Sequence, residues 1–130
     1  MGITYVTARV RRTGARSGAQ TVRFLVDSGA VYTILPRAAW TALKLRPGRQ
    51  AEFTLADGST ISRGIAEATF EIGGVAATSP VVLGEAGDAP LLGAVTLETL
   101  GLMLNPLSRE LTPMRLMLAP LRGRGTGGPL

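Results

Sequence analysis

The stretch that decides the fold is "FLVDSGAVYTILP", residues 24–36. Asp27 follows three apolar residues and precedes a serine, a glycine and a second apolar run. Carboxylates are rarely buried without a partner, so this acid is expected at the end of a strand, where functional sites tend to lie. Ser28 offers a hydroxyl to a neighbouring segment, and Gly29 permits a backbone conformation that turns amide groups back toward the carboxylate. On its own, however, Asp-Ser-Gly is also an ordinary turn sequence.

The composition limits the chemistry that this chain can perform. Its 130 residues suit one domain, and 45% hydrophobic with 18% charged residues is typical of a folded chain. The sequence has no cysteine and no histidine, which excludes disulfides, Ser-His and Cys-His nucleophiles and most zinc sites. Acid–base chemistry must therefore come from nine carboxylates, hydroxyls and the single lysine, Lys44.

The net charge of +5 is concentrated at the two ends of the chain. Residues 1–26 hold five arginines and residues 114–130 hold three, with no acid in either range, whereas acids outnumber bases in between. We interpret the ends as solvated basic segments. Association with nucleic acid through these arginines is the sharper alternative. With aromatic residues at 5%, no stacking platform is visible, and no nucleic-acid partner is predicted.

No targeting signal or membrane span is visible in the sequence. Residues 1–23 are polar and contain arginines, unlike a signal peptide. No window of about 18 consecutive apolar residues occurs. These two observations predict a cytoplasmic protein.

The residue pattern predicts an all-β chain with one or two short helices. Strands are predicted over 3–10, 19–26 and 31–35, within 51–64 as a hairpin turning at Asp57-Gly58, within 65–84 on either side of Gly73-Gly74, and within 102–113 around Asn105-Pro106. Helices are predicted over 37–45, with Pro36 at the first helical position, and over 94–101, closed by Gly101. Residues 46–50 read as a connector. The loop 85–90 carries Glu85 and Asp88, which are expected to be solvated acids. A single domain over residues 1–121 and a flexible Gly/Arg tail over 122–130 are predicted.

Three elements in order resemble the retropepsin-like aspartic proteases. The stretch from Asp27 to Ala30, with Thr33-Ile34-Leu35 after it, is similar to the active-site motif of that family. "LADGSTI" (55–61) occupies the position of the family's flap hairpin, and "PLLGAVTLETLGLMLNP" (90–106) is similar to its apolar-apolar-Gly element and helix. The likeness covers roughly residues 20–113 and is nearest to small bacterial single-domain members. Viral members commonly carry an arginine or aspartate where this chain has Ala94, so an ion pair that braces those dimers is absent here.

The resemblance implies a barrel with a flap and an aspartic endopeptidase activity that uses neither cofactor nor metal. In this mechanism one carboxylate takes a proton from water while a second, protonated carboxylate hydrogen-bonds the scissile carbonyl. Only one Asp-Ser-Gly occurs in the chain, so the second Asp27 is expected from the partner in a homodimer. The alternative from another class is a catalytically inactive module of the same fold that binds or dimerises.

The resemblance also assigns candidate roles to individual residues. The candidate catalytic residues are Asp27, Ser28 and Gly29. The candidate contacts to a peptide or protein substrate are Ala30, Asp57, Gly58, Ser59, Leu91, Leu92 and Gly93. Trp40 and Tyr32 are interpreted as packing residues. No residue is assigned to a metal.

Overall fold

The computed structural model describes residues 3–114, which form strands with two short helices. The strands are β1 Tyr5–Arg11, β2 Gln20–Val26, β3 Thr33–Leu35, β4 Arg49–Thr54, β5 Thr60–Ile72, β6 Val75–Leu83, β7 Leu91–Leu92, β8 Leu102–Leu104 and β9 Leu111–Pro113. The helices are α1 Arg37–Ala42 and α2 Ala94–Leu100. The predicted all-β class with short helices is confirmed. The tail predicted over 122–130 lies outside the described residues.

The main sheet closes on itself into a barrel. Its strands follow the order β1-β2-β7-β3-β6-β5-β4, and β1 pairs in addition with β5. Six strands therefore form the closed wall, and β4 extends from it as the partner of β5. Strands β8 and β9 form a separate antiparallel pair. The sheet is mixed, since β2–β7 and β3–β6 pair in parallel, and its closure leaves few unpaired edges.

Strand β5 is the longest element and serves two parts of the fold. Its first half pairs with β4, from Thr60 opposite Thr54 to Ile65 opposite Arg49. Its second half pairs with β6, from Gly64 opposite Leu83 to Ile72 opposite Val75. The hairpin predicted over 51–64 and the strand pair predicted over 65–84 are therefore parts of one continuous strand system. The predicted connector 46–50 is one correction, since β4 already begins at Arg49 and gains backbone pairing there.

Both helices lie where they were predicted, and only α1 differs at its ends. The helix α2 ends as predicted, because Gly101 adopts the left-handed conformation (φ 70°) that closes a helix. Pro36, in contrast, is not the first helical residue: its backbone is extended (ψ 150°), and it precedes the helix as its cap. The helix α1 ends at Ala42 rather than continuing to residue 45, since Lys44 turns to a positive φ of 58°.

The barrel interior is apolar and packed around two phenylalanines. Phe24 of β2 and Phe70 of β5 are fully buried, with ring centroids 6.0 Å apart. Alternate residues of β1 and β2 point inward, as expected for strands with one buried face. Trp40 packs against this core and donates its indole N–H to the Gly84 carbonyl at 2.8 Å, which confirms the predicted packing role.

Three buried hydroxyls form a chain of hydrogen bonds between β3, α2 and β6. The Gly93 amide donates to Thr33 Oγ1 at 2.9 Å. Thr33 and Thr96 hydroxyls lie 2.6 Å apart, and Thr96 and Ser79 hydroxyls lie 2.8 Å apart. Ser79 donates to the Pro80 carbonyl at 3.0 Å. Because each hydroxyl has one proton, the chain runs in one direction, from Gly93 through all three hydroxyls to Pro80.

This hydroxyl chain predicts that Thr96→Val destabilises the fold although the side chain keeps its shape. The change leaves the Thr33 proton without its acceptor and Ser79 without its donor, at a cost of about 1–3 kcal/mol. Thr99→Val is the matched control on the same helix, since its hydroxyl is exposed and bonds only to the Val95 carbonyl. That control should change stability by less than about 0.5 kcal/mol. Urea unfolding of the two variants measures the difference, and equal midpoints would contradict the prediction.

Candidate active site

The Asp27 loop leaves the end of β2 and is fixed by its own backbone. The Asp27 N–H donates to the Leu92 carbonyl at 3.0 Å, which carries the β2–β7 pairing one residue beyond the strand. The Ala30 N–H then donates to the Asp27 carbonyl at 3.1 Å and closes a turn. The Gly29 N–H donates to the carboxylate atom Asp27 Oδ1 at 3.0 Å. The carboxylate is therefore oriented by the glycine amide, as the sequence predicted, while Asp27 and Ser28 remain exposed.

The N-terminus of α2 supports this loop from one side. The amides of Ala94 and Val95 donate to the carbonyls of Ala30 and Val31 at 2.8 and 3.0 Å. These bonds satisfy amides that have no partner within the helix and join the loop rigidly to it. Val31, four residues after Asp27, is 59% exposed, so the same loop presents an apolar residue as well as the acid.

The segment 91–93 lies directly beneath the Asp27 loop. Leu91 and Leu92 pair in parallel with the last residues of β2, and Leu91 also pairs with Ile34 of β3. Leu92 is fully buried and Gly93 is buried, whereas Leu91 is half-buried. A Cβ at Gly93 would lie 2.5 Å from the Tyr32 carbonyl carbon, so the two backbones touch. The structure thus brings together two of the three predicted elements.

The third element, Asp57-Gly58-Ser59, lies at the tip of the β4–β5 hairpin. The Gly58 N–H donates to the Leu55 carbonyl at 2.9 Å, and Gly58 takes a positive φ of 87° that favours glycine. Asp57 Oδ1 accepts from the Ser59 hydroxyl at 2.6 Å and from the Ser59 amide at 2.9 Å. The hydroxyl bond, more than the amide bond, lowers the pKa of Asp57. Within residues 3–114 no hydrogen bond joins this tip to the Asp27 loop.

Each strand of the hairpin contacts a segment that flanks the Asp27 loop. On β4, the Phe53 ring meets the Tyr32 ring edge to face, with centroids 6.3 Å apart. On β5, Arg63 forms two hydrogen bonds with Asp88 of the loop before β7, at 2.8 and 3.1 Å. Tyr32 is therefore a packing residue, as predicted, and it packs against the hairpin.

The expectation that Asp88 is a solvated acid was wrong, because Asp88 is paired and mostly buried. The side chains of Arg63 and Asp88 are only 17% and 22% exposed. The hydrogen bond from Arg63 lowers the pKa of Asp88, and the Glu85 amide, which donates to Asp88 Oδ2 at 2.8 Å, adds to this effect. Burial raises the pKa of Asp88, but by less than the hydrogen bond from Arg63 lowers it. Glu85 itself is exposed, as expected.

Two side-chain groups near the candidate site were not found from the sequence. Thr96 and Ser79 complete the hydroxyl chain: Thr96 lies in the 90–106 element but had no role assigned there, and Ser79 lies in none of the three elements that carry the resemblance. Arg63 and Asp88 are separated by 25 positions and show no spacing that marks a pair. Within residues 3–114 no group of three acidic side chains is arranged to hold a metal ion.

A closed barrel with an Asp-Ser-Gly loop at the end of one strand, braced by a Leu-Leu-Gly segment, defines the class of retropepsin-like aspartic proteases. The family model described as "gag-polyprotein putative aspartyl protease" matches residues 14–99. The chain belongs to that family. Among curated proteins, none matches the chain.

Solved structures of viral proteases share the fold. The solution structure of simian foamy virus (mac) protease is 20% identical, with a TM-score of 0.53 over 73% of this chain and 92% of that one. The EIAV protease in complex with an inhibitor is 17% identical, with a TM-score of 0.59 over 90% of this chain and 94% of that one. Neither helix in the described part of the chain is long and apolar enough to cross a membrane.

The contact between Gly93 and Tyr32 predicts that Gly93→Ala is disruptive. Gly93 has an extended backbone (φ −97°) that alanine also adopts, so the cost is steric alone. The added methyl would meet backbone atoms at 2.5 and 2.6 Å, and we expect a loss of about 1–3 kcal/mol in the free energy of unfolding. Gly48→Ala is the control, since its Cβ would lie 3.7 Å from the nearest atom. Chemical denaturation compares the two variants. A Gly93→Ala protein as stable as Gly48→Ala would contradict the packing described.

The Arg63–Asp88 pair predicts a loss of stability in acid. Because folding lowers the pKa of Asp88, its contribution to stability is full above the ordinary aspartate pKa of about 4 and disappears as the pH falls through the lowered value. Asp88→Asn lacks this contribution at every pH. The difference in unfolding free energy between wild type and Asp88→Asn should therefore be largest near neutral pH and shrink toward pH 2. A difference that stays constant between pH 7 and pH 2 would refute this role for the carboxylate.

Proposed function

We propose that this protein is an aspartic endopeptidase whose active site is completed by a second copy of the chain. The observation that carries the proposal is the exposed, amide-oriented carboxylate of Asp27 on a rigid loop of the family's barrel. Family membership supports the reaction class. The position of Asp27 in the fold supports its role as the acid–base residue.

The proposed reaction needs two carboxylates that share one proton. The ionised Asp27 takes a proton from a water molecule, whose oxygen attacks the carbonyl carbon of the scissile peptide bond. The protonated Asp27 of the other copy hydrogen-bonds the carbonyl oxygen and stabilises the tetrahedral intermediate. The first Asp27 then gives the proton it took from water to the amide nitrogen, the carbon–nitrogen bond breaks, and the carboxylic acid and amine products leave. The second Asp27 keeps its proton, so the pair returns to its starting state. Two carboxyls about 3 Å apart cannot both ionise easily, which keeps one of them protonated.

A single chain offers only half of this arrangement. The sequence has one Asp-Ser-Gly, and Asp27, Ser28 and Gly29 are all exposed in the chain alone. The neighbouring Val31 is also exposed. A symmetric contact across this loop would cover the apolar residue, bring two Asp27 carboxylates together and let the Ser28 hydroxyls link the two loops.

The other predicted residues divide into contacts to substrate and supports of the loop. Asp57, Gly58 and Ser59 form the exposed tip that would close over a bound peptide and exclude water. Ala30 and Leu91 are partly exposed and are proposed to contact the substrate. Leu92 and Gly93 are buried, so we propose that they support the Asp27 loop from below. The narrower likeness to bacterial members, the cytoplasmic location and the domain limit at residue 121 stay predictions.

Asp27→Asn is predicted to abolish peptide hydrolysis without unfolding the protein. The asparagine oxygen can still accept the hydrogen bond from Gly29, so the loop keeps its shape while its acid–base group is lost. We expect activity to fall by about 10²–10⁴-fold or more. A peptide library assayed between acid and neutral pH measures the loss, with thermal unfolding as the check on folding.

Glu67→Gln is the control, because it removes an exposed carboxylate from β5 in the barrel wall. It should retain wild-type hydrolysis. Full activity in Asp27→Asn would overturn the assignment of this residue. A wild-type protein that dimerises but cleaves nothing would favour the inactive binding module instead.

A further inference from the structure

We propose that Arg63 and Asp88 are a positioning pair. The pair fixes the flap hairpin to the loop before β7, and in this way determines how tightly the Asp27 site binds substrate. The inference rests on the proposed function and adds to it two residues that determine substrate affinity. Neither residue belongs to the resemblance on which the active site was predicted. Their role follows from where the two side chains lie in the fold.

The geometry of the pair is that of a specific contact rather than a chance encounter on the surface. The guanidinium donates through Nε to Asp88 Oδ2 at 2.8 Å and through a terminal nitrogen to Oδ1 at 3.1 Å, which is the strong bidentate form. Its other terminal nitrogen donates to the Ser62 carbonyl at 2.9 Å. Asp88 Oδ2 also accepts from the Glu85 amide, so both partners are fixed on their own segments.

The pair connects the hairpin to the Asp27 loop through a short path. Arg63 lies on β5, three residues beyond the hairpin end at Thr60. Asp88 stands two residues before Pro90, whose carbonyl accepts the Leu25 amide at 3.0 Å. Strand β7 follows at once, and the Leu92 carbonyl accepts the Asp27 amide. The pair therefore attaches the hairpin to the loop that leads into the segment under the candidate catalytic loop.

The loop that carries Asp88 is itself compact. The Asp88 amide donates to the Glu85 carbonyl at 3.0 Å, and a Cβ at Gly84 would lie 2.9 Å from the Leu35 carbonyl oxygen. The loop therefore offers a firm attachment for β5. The second attachment of the hairpin is the Tyr32–Phe53 ring contact on β4. The hairpin is therefore anchored on both strands, at Arg63 on β5 and at Phe53 beside the tip on β4, and residues 55–59 lie beyond both anchors.

Another ion pair on β5 provides a matched control. Arg9 and Glu71 face each other between β1 and β5 at 3.6 Å, with side chains 63% and 43% exposed. Glu71 lies at the far end of the strand from the hairpin. Exposed ion pairs of this kind contribute little to the free energy of unfolding, so Glu71→Gln should leave both stability and substrate binding unchanged.

The test compares Arg63→Met, Asp88→Asn, the double variant and Glu71→Gln in peptide hydrolysis at pH 6–7, with active sites titrated by a tight peptide-like inhibitor. We expect KM to rise about tenfold in the first three variants, because the hairpin loses its contact with the Asp88 loop. The value of kcat per active site should change little, because Asp27 is unchanged in all four variants. The double variant should resemble each single one, because the same contact is lost. A purely structural role would instead reduce the fraction of active protein and leave KM unchanged.

Amide hydrogen exchange of residues 52–62 gives a readout that does not depend on activity. Exchange at the hairpin should be faster in Arg63→Met and Asp88→Asn than in wild type and Glu71→Gln. Unchanged exchange in the two variants, or an unchanged KM, overturns the positioning role. If wild type cleaves no peptide, the proposed function fails and hydrogen exchange alone decides whether the pair fixes the hairpin.

Discussion

The hydrogen bond that the buried Gly93 amide donates to the Thr33 hydroxyl is the contact on which the site depends. It joins β3 to the segment under the Asp27 loop, and it starts the hydroxyl chain that continues through Thr96 into β6. The same segment accepts the Asp27 amide through Leu92 and leads into the helix whose first amides bind the loop. The candidate catalytic carboxylate is therefore placed by backbone and hydroxyl geometry, and no charged group is needed to position it.

The flap is attached to this rigid base by a different kind of interaction. Its strands reach the loop neighbourhood through an aromatic contact on one side and a partly buried ion pair on the other. Arg63 lies in the middle of the hairpin and Phe53 lies one pair from its end, while among the described residues Asp57 and Ser59 of the tip bond to each other. An Asp27 loop fixed by backbone hydrogen bonds, together with a hairpin whose tip lies beyond its anchors, suits the proposed enzyme, which must admit a peptide and then exclude water.

The parts that could be predicted from sequence are those encoded by neighbouring residues. The Asp27 turn, the Asp57-Gly58 hairpin and the Gly101 helix end depend on glycines within a few positions, and the structure shows all three. The hydroxyl chain could not be predicted, because its members come together only when three elements pack. Asp88 was misjudged for the same reason: a loop acid reads as solvated until the distant strand that carries Arg63 is placed beside it.

The central claim is that two copies of the chain share one active site. Peptide hydrolysis by mixtures of wild-type and Asp27→Asn chains tests it most directly, with the two chains refolded together at constant total concentration. If each site takes one Asp27 from each copy, only wild-type pairs are active, and activity follows the square of the wild-type fraction. An equal mixture should then retain about one quarter of the wild-type rate. Activity that falls in direct proportion to the wild-type fraction would show that one chain suffices and would contradict the account.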